Sequence, residues 1–206
     1  MSSVKDNVTA LPLHPEKSTL EGKNKFLGFW FFLGGETVLF GTLFATFVAL
    51  RHQTSGGPAA EDIFGMPLTF LSTIILLTSS LTSVFAIMAM RDNSLGRMQL
   101  WFWITVILGL AFLGLEITEF TEYMHEDLGY TTSAFSSAFY TLVGFHGCHV
   151  LFGVVWISTL MIQSFKKGIT TVTAPKYYVA SLYWHFIDVV WVFIFTVVYL
   201  LGILGG

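Results

Sequence analysis

Five apolar runs, at about 26–50, 67–90, 98–121, 135–165 and 177–203, dictate what this chain can become. Each reaches the ~20 residues that a helix needs to cross a bilayer. In hydrocarbon every backbone N–H and C=O must be satisfied within the segment, so runs of this kind are helices. Charged residues make up only 11% of the chain, far below the ~25% of soluble domains. Hydrophobic residues reach 54% and mean hydropathy is +0.71. Such a chain cannot coat itself with polar surface, and its solvent is lipid. The sequence predicts an all-α polytopic membrane protein. A polar tail, residues 1–25, precedes a five-helix transmembrane domain, residues 26–206. The tail has no apolar stretch and does not read as a signal peptide.

Breakers separate the runs. Ser55-Gly56-Gly57-Pro58 and Met66-Pro67 bound the first loop, and Arg91-Asp92-Asn93-Ser94 is a tight turn. Glu126-Asp127-Leu128-Gly129 makes the third connection, and Lys166-Lys167-Gly168 through Pro175 the fourth. Short connections favour antiparallel neighbours. Lys5, Lys17, Lys23, Lys25, Arg91, Arg97, Lys166, Lys167 and Lys176 all fall on one side, and Arg51 alone on the other. The positive-inside rule then puts the N-terminus inside and the C-terminus outside. A net charge of −3 argues against nucleic acid as a partner. The single cysteine, Cys148, excludes an internal disulfide and a cysteine-based metal cage, and reads as a small packing residue.

Small residues mark expected helix contacts, because dispersion drives packing in lipid. Thr37, Gly41 and Ala45 stack in the first helix. Ser72, Ser79 and Ser83 form a seam in the second, and Gly144, Gly147 and Gly153 thin the fourth.

Few polar residues lie deep, and each needs a partner. Glu36 sits about ten residues into the first helix, roughly 15 Å at 1.5 Å per residue. It reads either as a proton-handling or headgroup-contacting residue, or as a carboxyl bonded to a neighbouring helix. His146 and His149 lie near mid-membrane on the fourth helix. With Glu36 and His185 at similar depth they are conceivable metal ligands. No clustered carboxylate accompanies them, so hydrogen bonding between helices is the better reading. Glu116, Glu119 and Glu122 form a stripe at the end of the third helix, where they oppose the macrodipole and repel one another. Arg51 is the one Lys or Arg on that side, and an ion pair with Glu116, Glu119 or Glu122 is expected. Glu122 and His125 give a single Glu-x-x-His, whereas a di-iron bundle needs two copies and further glutamates. His185 and Asp188 share a face of the last helix and read as a proton relay, a headgroup site or a structural pair.

Four stretches carry a resemblance. Gly144-Phe145-His146-Gly147-Cys148-His149-Val150 resembles the GFHGxHV motif of haem-copper oxidase subunit III, and Tyr183 through Trp191 resembles its YWHFxDVVW motif. Glu36 with Val38-Leu39-Phe40 is similar to its SEVLFF stretch, and Thr118-Glu119-Phe120 to its SEY. Within the family the chain looks most like the five-helix form of Gram-positive cytochrome c oxidases, with the menaquinol oxidase subunit as near neighbour. The resemblance implies a non-redox subunit of a proton-pumping terminal oxidase in the bacterial plasma membrane. Haem and copper belong to partner subunits. The chain would pack on subunit I beside subunit II and a small subunit IV, hold structural phospholipids and support proton uptake. The family's buried glutamate maps onto Glu36. Its lipid-contacting and core-polar positions map onto His146, His149, Glu119, His185 and Asp188. The chain lacks the two extra N-terminal helices of the seven-helix form, which wall a lipid-filled cleft.

Two readings of other classes stand beside this one. Glu36, His149 and Asp188 in a relay would make an independent proton or ion transporter, but transporters often show internal repeats and helices broken at the midplane. An intramembrane metalloenzyme would bind stoichiometric metal.

Overall fold

The computed structural model describes residues 12, 14–55, 65–126 and 128–204. Lys5, Asp127 and the loop signal at 56–58 lie outside the described residues. Five long helices follow one another: α1 (Leu20–Leu50), α2 (Met66–Arg91), α3 (Leu95–His125), α4 (Ala134–Lys167) and α5 (Ala174–Ile194). The helical path of α5 runs on through a π turn, Phe195–Leu200, into α6 (Leu201–Leu204). The first four, and α5 together with its π turn (Ala174–Leu200), are long and apolar enough to cross a membrane.

Local chemistry sets the ends. Thr19 caps α1 by accepting the Gly22 N–H at 3.0 Å. The helix therefore begins six residues before the apolar run, inside the expected tail, and an i,i+4 pair between Glu21 and Lys25 supports that polar first turn. Proline stands in the first turn of α2 and α5, where its missing N–H costs nothing. Ser133 and Ser136 cap α4 reciprocally. Gly168 ends α4 at φ 61°, a conformation that favours glycine. Asn93 at φ 53° makes the tight α2–α3 turn.

The helices do not form a flat row. α2 packs on α3, α3 on α4, α4 on α5, and α5 back on α2, closing a four-helix ring. α1 lies outside that ring against α4 and α5. At the ring's centre is Trp184 of α5. Its indole rests where Gly109 of α3 and Gly153 of α4 have no side chain, and its Nε1 donates to Ser79 Oγ of α2 at 2.9 Å. One residue thus touches all three other ring helices. One end of the bundle collects Lys23, Lys25, Arg91, Arg97, Lys166, Lys167 and Lys176; we call it the basic end. The other, with Arg51, Glu122 and Glu126, is the acidic end.

The α2 seam is real. Besides Ser79, Ser83 shares a 2.7 Å hydrogen bond with Ser181 of α5, Thr82 one with Thr105 of α3, and Thr73 accepts from Trp191 Nε1 at 3.0 Å. The small face of α1 behaves otherwise. Thr37, Gly41 and Ala45 are exposed, and a Cβ on Gly41 would meet nothing within 4 Å. That face looks away from this chain's own helices.

Candidate functional site: the buried polar pairs

Glu36 of α1 and His149 of α4 meet: Oε2 and Nε2 are 3.1 Å apart, with about 16% and 15% of each side chain exposed. His149 Nδ1 lies 2.8 Å from the Phe145 carbonyl oxygen. A carbonyl only accepts, so Nδ1 carries a hydrogen. Nε2 and Oε2 then need one proton between them, on the carboxyl or on the imidazole. The pair is a hydrogen bond that ties α1 to α4. Phe40 and Phe145 pack on the imidazole with centroids at 5.1 and 4.9 Å, and the Tyr183 hydroxyl donates to the His149 carbonyl at 3.2 Å. Beside it opens a cavity of about 280 Å³, lined by Phe32, Phe145, Cys148, His149, Phe152 and Tyr183. Cys148, expected in the packing, is exposed there.

His146 does not join this pair. Three residues along a helix turn a side chain by about 60° from its neighbour's direction, and that offset decides its fate. His146 points into the ring, stacked on Trp191 at 5.3 Å and edge-on to Phe112 at 5.9 Å. It is fully buried, and neither nitrogen has a hydrogen-bond partner.

His185 and Asp188 sit at the α2–α5 contact. His185 Nδ1 is 2.6 Å from Ser80 Oγ, and Nε2 is 3.4 Å from Ser181 Oγ. Asp188 is buried and directed toward Ser80, but neither oxygen closes a hydrogen bond. Ser80 and Ser181 were not singled out from the sequence. A serine in an apolar run reads first as a small packing residue, and its rotation toward His185 is visible only in three dimensions.

At the acidic end Glu119 accepts from the Thr69 hydroxyl at 3.0 Å and the Tyr123 hydroxyl at 2.5 Å. Glu116 is also buried. Its carboxyl lies in the notch left by Gly147, where a Cβ would come within 2.6 Å of both oxygens. The expected ion pair with Arg51 is not formed. Arg51 Nε donates to His52 Nε2 at 3.0 Å, and among the described residues no ion pair joins Arg51 to Glu116, Glu119 or Glu122. The reason is the ring. Arg51 ends α1, which packs on α4 and α5, whereas the stripe on α3 turns toward α2 and α4.

The basic end holds a pair that the sequence did not announce. Glu16, in a 3-10 turn at Pro15–Lys17, is buried and accepts from Arg91 Nη2 at 2.8 Å. Lys17 lies over the Phe26 ring at 4.8 Å, and the Arg91 guanidinium 5.9 Å from the Tyr178 ring centre. The described end of the tail is therefore strapped across α2 and α5.

Known proteins resemble this chain along most of its length. The family model described as cytochrome c oxidase subunit III matches residues 9–203. Cytochrome c oxidase subunit 3 of Bacillus sp. (strain PS3) is 67% identical over 195 residues, covering 94% of each chain. The Bacillus subtilis (strain 168) protein of the same name is 63% identical, over 98% of this chain and 99% of its own. Quinol oxidase subunit 3 of Bacillus subtilis (strain 168) is more distant, 50% identical over 90% of each chain. The motifs around Glu36, His149 and His185, the five helices and these matches agree: the chain belongs to the cytochrome c oxidase subunit III family.

Proposed function

We propose that this chain is the third subunit of a proton-pumping cytochrome c oxidase in a bacterial plasma membrane, with its N-terminus inside and its C-terminus outside. It serves the complex without carrying a redox centre; haem and copper reside in partner subunits. It packs directly on subunit I, beside subunit II and a small subunit IV, holds phospholipid against its helices and supports proton uptake. The observation that carries this reading is the Glu36–His149 contact. The deep carboxyl matched by the family motif ties α1 to the ring, and it meets the His149 imidazole beside a cavity bounded by aromatic rings. The exposed Thr37–Gly41–Ala45 face supports assembly, since a small-residue face lets a partner helix approach closely. The cytochrome c oxidase relatives stand at 67% and 63% identity and the quinol oxidase at 50%, which favours cytochrome c as the complex's electron donor.

Purification in mild detergent through a tag on this chain tests the reading. Two larger oxidase subunits and a haem spectrum should co-purify, and the complex should oxidise cytochrome c rather than menaquinol. A complex stripped of this chain should still reduce oxygen at first but lose activity faster during turnover. Ion flux in liposomes holding only this chain, or stoichiometric haem, iron or copper bound to it alone, would overturn the reading.

A further inference from the structure

Glu116 and Glu119 make a demand that the rest of the fold leaves open. They stand three residues apart on α3 and project from one face. Both are buried, at 5% and 2% exposure. Glu119 is well supplied: the Thr69 and Tyr123 hydroxyls donate to its Oε1, and the Tyr199 hydroxyl is turned to the same carboxylate. Hydrogen bonds donated to a carboxylate stabilise its negative charge. Glu116 receives no such help, since neither of its oxygens has a hydrogen-bond partner. Among the described residues no lysine or arginine pairs with either acid. A second negative charge one turn from the first, out of water, would meet strong repulsion. A neutral carboxyl is far easier to bury than a charged one.

A route leads in. At the acidic end a cavity of about 220 Å³ is lined by Gly65, Leu68, Glu119, Glu122, Tyr123 and Glu126. Glu122 and Glu126 are exposed, Glu119 forms part of its buried wall, and Glu116 lies one turn deeper on the same helix. The cavity has room for several waters. Clustered acids concentrate cations, protons included, from the aqueous phase. Among the described residues no three His, Cys, Asp or Glu side chains converge as a metal site would need. The other groups near the pair are Glu122 and Tyr123 on α3, Glu126 just past its end, Tyr199 beyond α5 and Thr69 from α2, while α4 presents Gly147 to Glu116.

We infer that Glu116 and Glu119 form a site holding one exchangeable proton, carried on the Glu116 carboxyl, and that this proton enters and leaves through the acid-lined cavity at the acidic end of α3. The site is separate from the Glu36–His149 contact and does not depend on the function proposed above. Glu119 keeps the negative charge, and the proton on Glu116 removes the repulsion between them. Gly147 makes room for the neutral carboxyl.

Infrared difference spectroscopy on the purified complex containing this chain reads the proton directly, through the C=O stretch of a protonated carboxyl. The native complex should show a band that shifts in D2O and is missing in Glu116→Gln but retained in Glu122→Gln. Leu68→Trp, which narrows the cavity, should slow deuterium exchange of that band several-fold. If Glu116→Gln does not assemble, Glu116→Asp serves instead, because moving the carboxyl must move the band. Identical spectra for native and Glu116-substituted complexes would overturn the site. Exchange indifferent to Leu68→Trp would overturn the route.

Discussion

Replacing Gly109 by alanine sets a methyl group against the Trp184 indole at the centre of the ring. An ideal Cβ there would lie 2.6 Å from Trp184 Cη2 and 3.0 Å from both Trp184 Cζ2 and Val154 Cγ2. The indole cannot swing aside freely. Its Nε1 is bonded to Ser79, and its opposite edge lies in the notch of Gly153. Overpacking of this kind costs about 1–3 kcal/mol. Alanine also favours a helix over glycine by ~1 kcal/mol, which works in the other direction. Gly114, on the same helix, separates the two effects, because a Cβ there meets nothing within 4 Å. The propensity gain is common to both positions, so Gly109→Ala and Gly114→Ala should differ by the overpacking penalty alone, about 1–3 kcal/mol. Titration of the purified chain from mild detergent into SDS, followed by helicity, measures this difference. A Trp184→Phe background removes the benzo edge that the new methyl would strike. The Gly109→Ala penalty should therefore largely vanish there in a double-mutant cycle. Equal midpoints for the two glycine variants, or a penalty unchanged in the Phe background, would refute the lock at Trp184.

Other contacts lead to further outcomes. Glu36→Gln should keep α1 in place, because the amide N–H can donate to His149 Nε2. Glu36→Leu leaves that half-buried nitrogen unpaired at a cost of ~1–2 kcal/mol, read as greater loss of this chain from the complex on detergent washing. Trp191→Phe removes the Thr73 bond and part of a fully buried ring, and should lower the SDS midpoint by ~1–3 kcal/mol. Arg91→Gln breaks the pair with buried Glu16 and should expose the strap, so that trypsin cleaves at Lys17 several times faster than in the native chain. Gly147→Ala drives a methyl into the Glu116 carboxyl and should destabilise more than alanine at open Gly41 in the same titration.

The five spans were legible because length and apolar content decide that they exist, and the breakers between them marked most of their ends. The helix phases were not. In water, polar residues mark the outside of a helix, but a lipid-facing leucine and a core leucine read alike. Thr37, Gly41 and Ala45 therefore looked like a contact surface of this chain, and they face away from it. The seam of Ser79 and Ser83 was readable, since hydroxyls in a row are costly to point at hydrocarbon. Their partners, Trp184 and Ser181, were not. The resemblance fixed Glu36 and His149 as residues of interest, and their being at similar depth made a contact conceivable. Whether His146 turned the same way hung on 60° of rotation. The Arg51 pairing failed for a related cause. Counting charges per side says which groups share an end of the bundle, and nothing about which helices touch there. Glu16 escaped notice because a polar tail gives no sign that one of its acids is buried.

The contact between Glu36 and His149 spans 113 residues of sequence. A ribosome adding ~5–20 residues per second needs on the order of ten seconds to cover that interval. For that time the first helix has a carboxyl at depth and no imidazole to meet it. The insertion machinery, water or lipid must shelter the acid until the fourth helix arrives. A helix that is made first and docked late gives assembly factors a natural moment to act, before the final pair closes.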